Sequence, residues 1–248
     1  MTLERVLRWL DRVNAEHPWS HNDAYAGFVL RQARRSVRDV LAAARCKRRR
    51  FGEKPPEYRR RLPETAAPIG RSALDIGCGT GNLLLRLAHR FPEVVGIEAD
   101  PATAALASIA VRTLPNVSVV VASFPSADGR RYDFVSMVAV LHHLPLREGI
   151  DAVRAAVAPG GRLVIVGVYR EERSDAALSI VSLVLNPIVG LLSHPRRATT
   201  LPANMAAPVA PASDSYRVIR DALRAALPGV KVRRGLFWRY TAVWRSPR

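Results

Sequence analysis

The stretch ALDIGCGTGNLLLRLA, residues 73–88, decides the fold. A short apolar run enters a turn with three glycines and leaves as a helix with apolar residues at helical spacing. Gly77, Gly79 and Gly81 form G-x-G-x-G. Glycine allows the sharp turn and lets a ligand approach the backbone with no Cβ in the way. In a strand–turn–helix unit the ligand lies at the carboxyl end of the strand, against this loop. Glu98 ends the next apolar run, 21 residues after Gly77. A carboxylate there can accept bonds from both hydroxyls of a ribose, and such charge-assisted bonds are the strong kind.

Outward from the loop, strands are expected at 72–76, 94–98, 117–121, 132–138 and 162–167, with helices at about 80–90, 101–112 and 147–157. Short β-branched runs alternating with helical stretches indicate a parallel sheet covered on both faces. The turn APGG, Ala158–Gly161, delivers the chain into the fifth strand. An apolar helix follows at about 174–186, then a proline-rich crossing and a helix at about 213–226. VKVRRGLF and RYTAVWRS close the chain as a hairpin-like pair on the sheet edge. Upstream, residues 2–15 form an amphipathic helix. A second helix, capped by Ser20 or Asn22, runs to about Cys46. The expected fold class is a doubly wound α/β architecture with a mostly parallel seven-stranded sheet, N-terminal helices and a helical lid. It divides into an N-terminal helical cap (1–46), a basic linker or insertion (47–71) and a main domain (72–248) with its lid at about 171–215.

The chain has 248 residues and is 48% hydrophobic, enough for a proper core. Its two cysteines, Cys46 and Cys78, have neither metal-site nor paired-framework spacing and fit a reducing compartment. The N-terminus carries charges through its apolar face and is no signal peptide. The longest apolar run, Ala177–Leu192, is interrupted by Asn186 and Pro187 and is short of the about 20 residues a spanning helix needs. A soluble, cytoplasmic protein without a transmembrane segment is expected. The net charge of +17 is uneven: residues 31–71 hold 14 Lys/Arg against four Asp/Glu. Only three of the 38 basic residues are lysines. A solvated basic surface and an anionic partner both fit this pattern.

Three details separate this loop from dinucleotide and triphosphate sites. The third glycine comes one residue sooner than G-x-G-x-x-G requires. Asp75, just before the loop, would repel a pyrophosphate but suits a ligand bearing an ammonium and a sulfonium. No G-K-[ST] follows, so a P-loop is excluded. LDIGCGTGN, VVGIEADP and YDFVSMVAVLHHL followed by APGGRLVIVG resemble the successive motifs of class I S-adenosylmethionine-dependent methyltransferases. WRYTAVWRSP and WSHNDAYAGFVLRQ are similar to segments of bacterial small-molecule enzymes of that type. The resemblance implies S-adenosyl-L-methionine as cofactor. Its methionine part would lie against Asp75, Gly77, Cys78, Gly79 and Gly81, and its ribose on Glu98. Ala99 would sit beside the adenine, and Val138 would give a main-chain contact. Where the family often has an acidic residue to meet the adenine amino group, this chain has Ser123, followed by Phe124.

Methyl transfer to a hydroxyl or carbon acceptor also needs a base. His143 and His142 follow the fourth strand, while His21 and Tyr25 lie on the N-terminal segment that folds over the cofactor in related enzymes. Each has a structural alternative: packing or main-chain bonding for the His pair, capping for His21, core for Tyr25. No metal constellation appears. Ile180, Leu183, Val184 and Ile188 would make an apolar wall for the acceptor, or merely pack on their neighbours. The acceptor is expected to be a small organic molecule. The alternative is nucleic acid met through the basic 31–71 segment, against which stand the lack of an N-P-P-Y-like motif and the few interleaved aromatics. A non-catalytic binding protein, or one working at a membrane surface with its basic face and apolar lid helix, are the remaining readings.

Overall fold

The computed structural model describes residues 3–50, 72–125, 129–198 and 210–248. Two helices, α1 (Leu3–Glu16) and α2 (Asp23–Arg50), precede five strands: β1 (Ser72–Ile76), β2 (Glu93–Glu98), β3 (Val117–Val121), β4 (Tyr132–Val138) and β5 (Val157–Val168). Between them run α3 (Asn82–Ala88), α4 (Pro101–Val111) and α5 (Leu146–Ala155), and beyond them α6 (Ala176–Ser193) and α7 (Tyr216–Ala226). Strands β6 (Lys231–Arg234) and β7 (Arg239–Arg245) finish the chain. The sheet order is β3-β2-β1-β4-β5-β7-β6, with β1 to β5 parallel and β7 antiparallel to both its neighbours. The expected seven-stranded, mostly parallel, doubly wound sheet is therefore present. The closing pair adds at the β5 edge as expected: β7 pairs with β5, and β6 is left outermost.

The order reverses between β1 and β4, and a parallel sheet opens a crevice at that point, beyond the carboxyl ends of its strands. β1 lies at the centre of the five parallel strands, with Ala73, Leu74 and Ile76 buried. One core layer unites Leu74, Ile97, Met137 and Ile165 with α5 and α7. The other packs Val29 and Ala33 of α2 and Leu84 and Leu87 of α3 on the opposite face. Local chemistry starts α4 at its predicted place: Asp100 caps it, accepting from the Thr103 N–H at 2.8 Å, and Pro101 fills the first turn.

Three local expectations shift. The APGG segment lies inside β5 rather than before it. Pairing skips from Tyr132/Val157 to Phe134/Arg162, and the glycines form an irregularity pinned by Gly160 N–H to Pro247 O and Ser246 N–H to Gly161 O. Helix α2 continues past Cys46 to Arg50, so residues 47–50 of the expected linker are helical; the rest of it, 51–71, lies outside the described residues. Helix α6 runs through Pro187 to Ser193 instead of ending at 186. Proline costs that helix a hydrogen bond, yet tertiary packing overrides the local stop. Gly190 lies so close to the chain after α1 that a Cβ there would be 2.5 Å from His17 O. With its 3₁₀ lead-in, Arg173–Ser193 is the one stretch among the described residues long and apolar enough, by length and composition, to cross a membrane. In this fold it lies against α1 and turns one face toward the crevice.

Candidate active site

The glycine loop crosses the switch point. Gly77, Gly79 and Gly81 all have positive φ, at 68°, 55° and 87°. A Cβ on Gly77 would overlap the Val140 side chain that follows β4, whereas one on Gly79 would meet no protein atom within 4 Å. The first glycine is thus demanded by strand-end packing, and the second leaves open space where a ligand can lie. Gly77 and Cys78 N–H both donate to Ile97 O, at 2.8 and 3.0 Å. Glu98 grips the same loop: its Oε2 accepts from Gly79 N–H at 2.9 Å and its Oε1 from Asp100 N–H at 3.1 Å. A carboxylate held on both oxygens is fixed in orientation before any ligand arrives.

Asp75 is only 3% exposed, and its Oδ1 accepts from the Ser136 hydroxyl at 2.8 Å. Burial raises its carboxyl from the ordinary 3.8 to about 7, opposed by the Ser136 bond and reinforced by the charge of Glu98. An anion so placed gains by meeting a cation. Burial also pushes the Cys78 thiol up, so it is no nucleophile at neutral pH; its sulfur packs toward Gly96.

A cavity of about 1360 Å³ opens above these strand ends. The loops after β1, β2, β3 and β4 form its floor, with Asp75, Gly77, Cys78, Gly79, Glu98, Ala99, Ser123, Phe124 and Val138 all in its lining. Gly81 is not. Instead it lets α3 approach α4, where a Cβ would stand 3.3 Å from Ala107 Cα. The segment between α1 and α2 makes the roof and brings in His21, while His142 and His143 line the wall with their rings 4.0 Å apart. Burial, helped by the neighbouring His143 and Arg239, lowers His142 to about 4, which leaves it neutral and a weak base. Tyr25 stands behind the lining, its hydroxyl donating to Leu236 O at 2.8 Å and its pKa raised by burial.

The lid helix faces the other way from expectation. Ile180 is 63% exposed, Val184 and Ile188 are also exposed, and Leu183 is absent from the lining. The face toward the protein carries Ser182, Asn186 and Gly190. Every fourth residue on that side is small or polar because the roof approaches closely and its polar groups need partners. Among the described residues no group of three or more His, Cys, Asp or Glu is placed to hold a metal ion.

Residues 29–180, more than half of the chain, match a family described as a methyltransferase domain. The chain belongs to the class I S-adenosylmethionine-dependent methyltransferases. Over 198 residues it is 29% identical to the uncharacterized methyltransferase Mb0092 of Mycobacterium bovis, spanning 75% of this chain and 93% of the relative. Over 117 residues it is 38% identical to the ribosomal protein L11 methyltransferase of Methylococcus capsulatus, spanning 45% of this chain and 38% of that one. Among solved structures, the CurJ carbon methyltransferase shares the fold at a TM-score of 0.50 and 19% identity, over 76% of this chain and 50% of that one.

In this methyltransferase, groups that sequence reasoning passed over complete the upper cavity. Asn186 Oδ1 receives Trp19 Nε1–H at 2.9 Å and faces His21 Nε2 at 2.9 Å. An indole N–H can only donate, so the amide atom it meets is the oxygen, and His21 must donate to that oxygen through Nε2. This leaves the lone pair on His21 Nδ1. Burial lowers the His21 pKa, and the bond to Asn186 opposes that shift. The His21 ring stacks on Phe237 at 5.4 Å, and Trp19 meets Phe237 edge-on at 4.9 Å. Arg239, at the start of β7, also lines the cavity. One signal for Asn186 was available in the sequence: it is the lone amide in a helix otherwise made of apolar residues and serines.

Proposed function

We propose that this methyltransferase transfers a methyl group from S-adenosyl-L-methionine to a small organic acceptor, as a cytoplasmic enzyme. The observation that carries this reading is one continuous cavity of about 1360 Å³ that runs from the glycine loop to the roof. An ordinary small-molecule site occupies about 300–1,000 Å³, so this one has room for two ligands side by side. When bound, S-adenosylmethionine supplies a methyl group on a cationic sulfur whose thioether leaves readily.

The chain's own residues fit that cofactor. Asp75 meets the ammonium, and the ionised form it favours on doing so is the one its burial otherwise disfavours. Glu98, oriented by Gly79 and Asp100 N–H, takes the ribose hydroxyls. Ser123 and Phe124 offer a hydroxyl and an aromatic face to the adenine, with Ala99 beside it, and Val138 offers main chain. The roof excludes water and brings the acceptor to the floor, and alignment of this kind supplies roughly 7–11 kcal/mol of the barrier reduction.

For a hydroxyl acceptor, His21 is the base favoured by the geometry, ahead of His143 and His142. It is neutral, its Nδ1 lone pair is free of the Asn186 bond, and its ring is held by stacking. His21 would take the proton of the acceptor hydroxyl on Nδ1. His142, at about 4, is too weak a base to lead. A nucleic-acid substrate is not favoured, since the roof folds over the acceptor half of the cavity. Calorimetric titration with S-adenosylhomocysteine, followed by transfer of labelled methyl from S-adenosylmethionine to a panel of small phenols, acids and amines, tests the proposal. No binding of S-adenosylhomocysteine would overturn it, and methylation of RNA but of no small acceptor would replace it.

A further inference from the structure

Arg239 is a cation with no counter-ion among the described residues. It opens β7 opposite Val168 at the end of β5, and it lines the upper cavity. Its Nε donates to Asn22 Oδ1 at 3.2 Å and its Nη1 to Phe237 O at 3.4 Å, both neutral acceptors at long range. Among the described residues no carboxylate comes within 4 Å of it. Other partly buried arginines of this chain are matched with acids: Arg162 with Asp39 and Arg234 with Asp175, each at 2.7 Å. The carboxylates of the cavity floor, Asp75, Glu98 and Asp100, have their own partners, and Asp23 in the roof is among those that lie beyond 4 Å. Around Arg239 stand His21, His142 and Tyr25, none of which offers a negative charge at neutral pH. Burial lowers even the guanidinium, to about 10.

The chain goes to some length to keep it there. Phe237 and Trp238, immediately before it, are consecutive non-glycine residues at positive φ, 57° and 55°. Large side chains rarely adopt that conformation, and where they do the surroundings over-determine it. Here Phe237 N–H donates to the buried Ser182 hydroxyl at 2.8 Å, Gly235 N–H to Arg239 O at 2.7 Å, and Tyr25 OH to Leu236 O. A half-buried charge with no carboxylate partner, at the end of a strained, multiply tethered turn, is costly to stability, and such features gather at ligand sites.

We propose that Arg239 is a ligand-binding residue that pairs with a carboxylate bound in the upper cavity. The guanidinium fork matches a planar carboxylate in two parallel bonds. A guanidinium with the aromatic side chains Trp19 and Tyr169 in the same lining suits a monoanion better than a doubly charged phosphate. The net charge of +17 draws anions toward the protein. Two sources offer this chemistry: an organic acid as acceptor, or the amino-acid carboxylate of the cofactor. The acceptor source rests on the methyl-transfer reading, whereas the carboxylate site itself does not.

Calorimetry on the full chain separates the cases. Wild type, Arg239→Met and Arg239→Lys are titrated with S-adenosylhomocysteine, with 5′-methylthioadenosine, which lacks the amino acid, and with benzoate in the presence and absence of S-adenosylhomocysteine. We expect Arg239→Met to weaken one carboxylate ligand by about 10- to 100-fold, as loss of charged hydrogen bonds does, with Arg239→Lys in between. Loss on benzoate with S-adenosylhomocysteine unchanged assigns the acceptor. Loss on S-adenosylhomocysteine with 5′-methylthioadenosine unchanged assigns the cofactor. Unchanged binding of both carboxylates, or a wild type that binds benzoate no better than Arg239→Met while both hold S-adenosylhomocysteine equally, overturns the proposal. Failure of both nucleosides to bind wild type defeats the methyl-transfer reading instead and leaves the benzoate arm to decide on Arg239. Phenylglyoxal modification of wild type, mapped by mass spectrometry, gives a measure independent of variant folding: benzoate or S-adenosylhomocysteine should protect Arg239, and no protection by either counts against the site.

Discussion

Replacing Asp75 by Asn probes the linkage between stability and cofactor binding. The carboxyl of Asp75 rises from 3.8 to about 7 in the folded chain. At about 1.4 kcal/mol per unit, the three-unit difference makes ionised Asp75 about 4 kcal/mol costlier in the fold than in the unfolded chain. Because the folded state holds its proton more tightly, the stability this group contributes is fully present below pH 4 and is lost as pH rises through about 7. The ligand-free protein should therefore melt lower at pH 8 than at pH 5, by about 2–4 °C for each kcal/mol lost. Asp75→Asn cannot ionise and can still accept from Ser136, so its contribution should not change with pH. At pH 8 the variant should be the more stable of the two.

Binding should move the other way. A cationic ammonium against Asp75 favours the ionised form, so the affinity of wild type for S-adenosylhomocysteine should rise with pH through 7, with proton release on binding. Asp75→Asn should lose about 1.5–3 kcal/mol of that affinity at pH 8 and show little pH dependence between 5.5 and 8. Thermal melts across pH 4.5–8.5, with calorimetry in two buffers of different ionisation enthalpy, measure both effects. A ligand-free wild type whose melting temperature tracks the variant over the whole range would refute the burial argument. Equal affinity of the two proteins at pH 8 would refute the ammonium contact.

Glu98→Ala should weaken S-adenosylhomocysteine binding by about 1.5–3 kcal/mol, and faster hydrogen exchange at Gly79 and Asp100 should accompany it, because their N–H groups lose an acceptor. Gly79→Val should cost about 1–3 kcal/mol of stability, because a β-branched residue is strained at φ 55° even though its Cβ meets no protein atom, and should abolish binding by filling the cradle; tight binding by a folded variant would move the ligand elsewhere. His21→Ala should slow methyl transfer to a hydroxyl acceptor by about 10²–10⁴-fold with cofactor affinity intact. Nitrogen NMR should find His21 protonated at Nε2 in wild type and in mixed tautomers in Asn186→Leu; an Nδ1–H wild type would remove His21 as the base.

The sequence by itself determined the floor of this site. Its signals are local: the three glycines between an apolar run and a periodic helix, Asp100 and Pro101 at a helix start, and alternating strands and helices spaced for a parallel sheet. Turn chemistry and periodicity act over a few residues, so Asp75, Gly77, Gly79 and Glu98 could be placed before any coordinates. The tertiary structure alone decided the roof. His21 meets Asn186 from 165 residues away and Arg239 meets Asn22 from 217 away. Which face of α6 turns inward could not be read from its apolar run. Pro187 and Gly190 look like stops but serve as close-packing points, and the small, polar side was drawn in by the Trp19 indole and the Phe237 backbone. Gly81 and Tyr25 make the same point in reverse. Both carry the right residue type at a plausible position, and the packing of α3 on α4 and the hydroxyl bond to Leu236 turn them away from the cavity. Long-range packing assigned these roles because buried polar groups take whichever partner the assembled fold brings within reach.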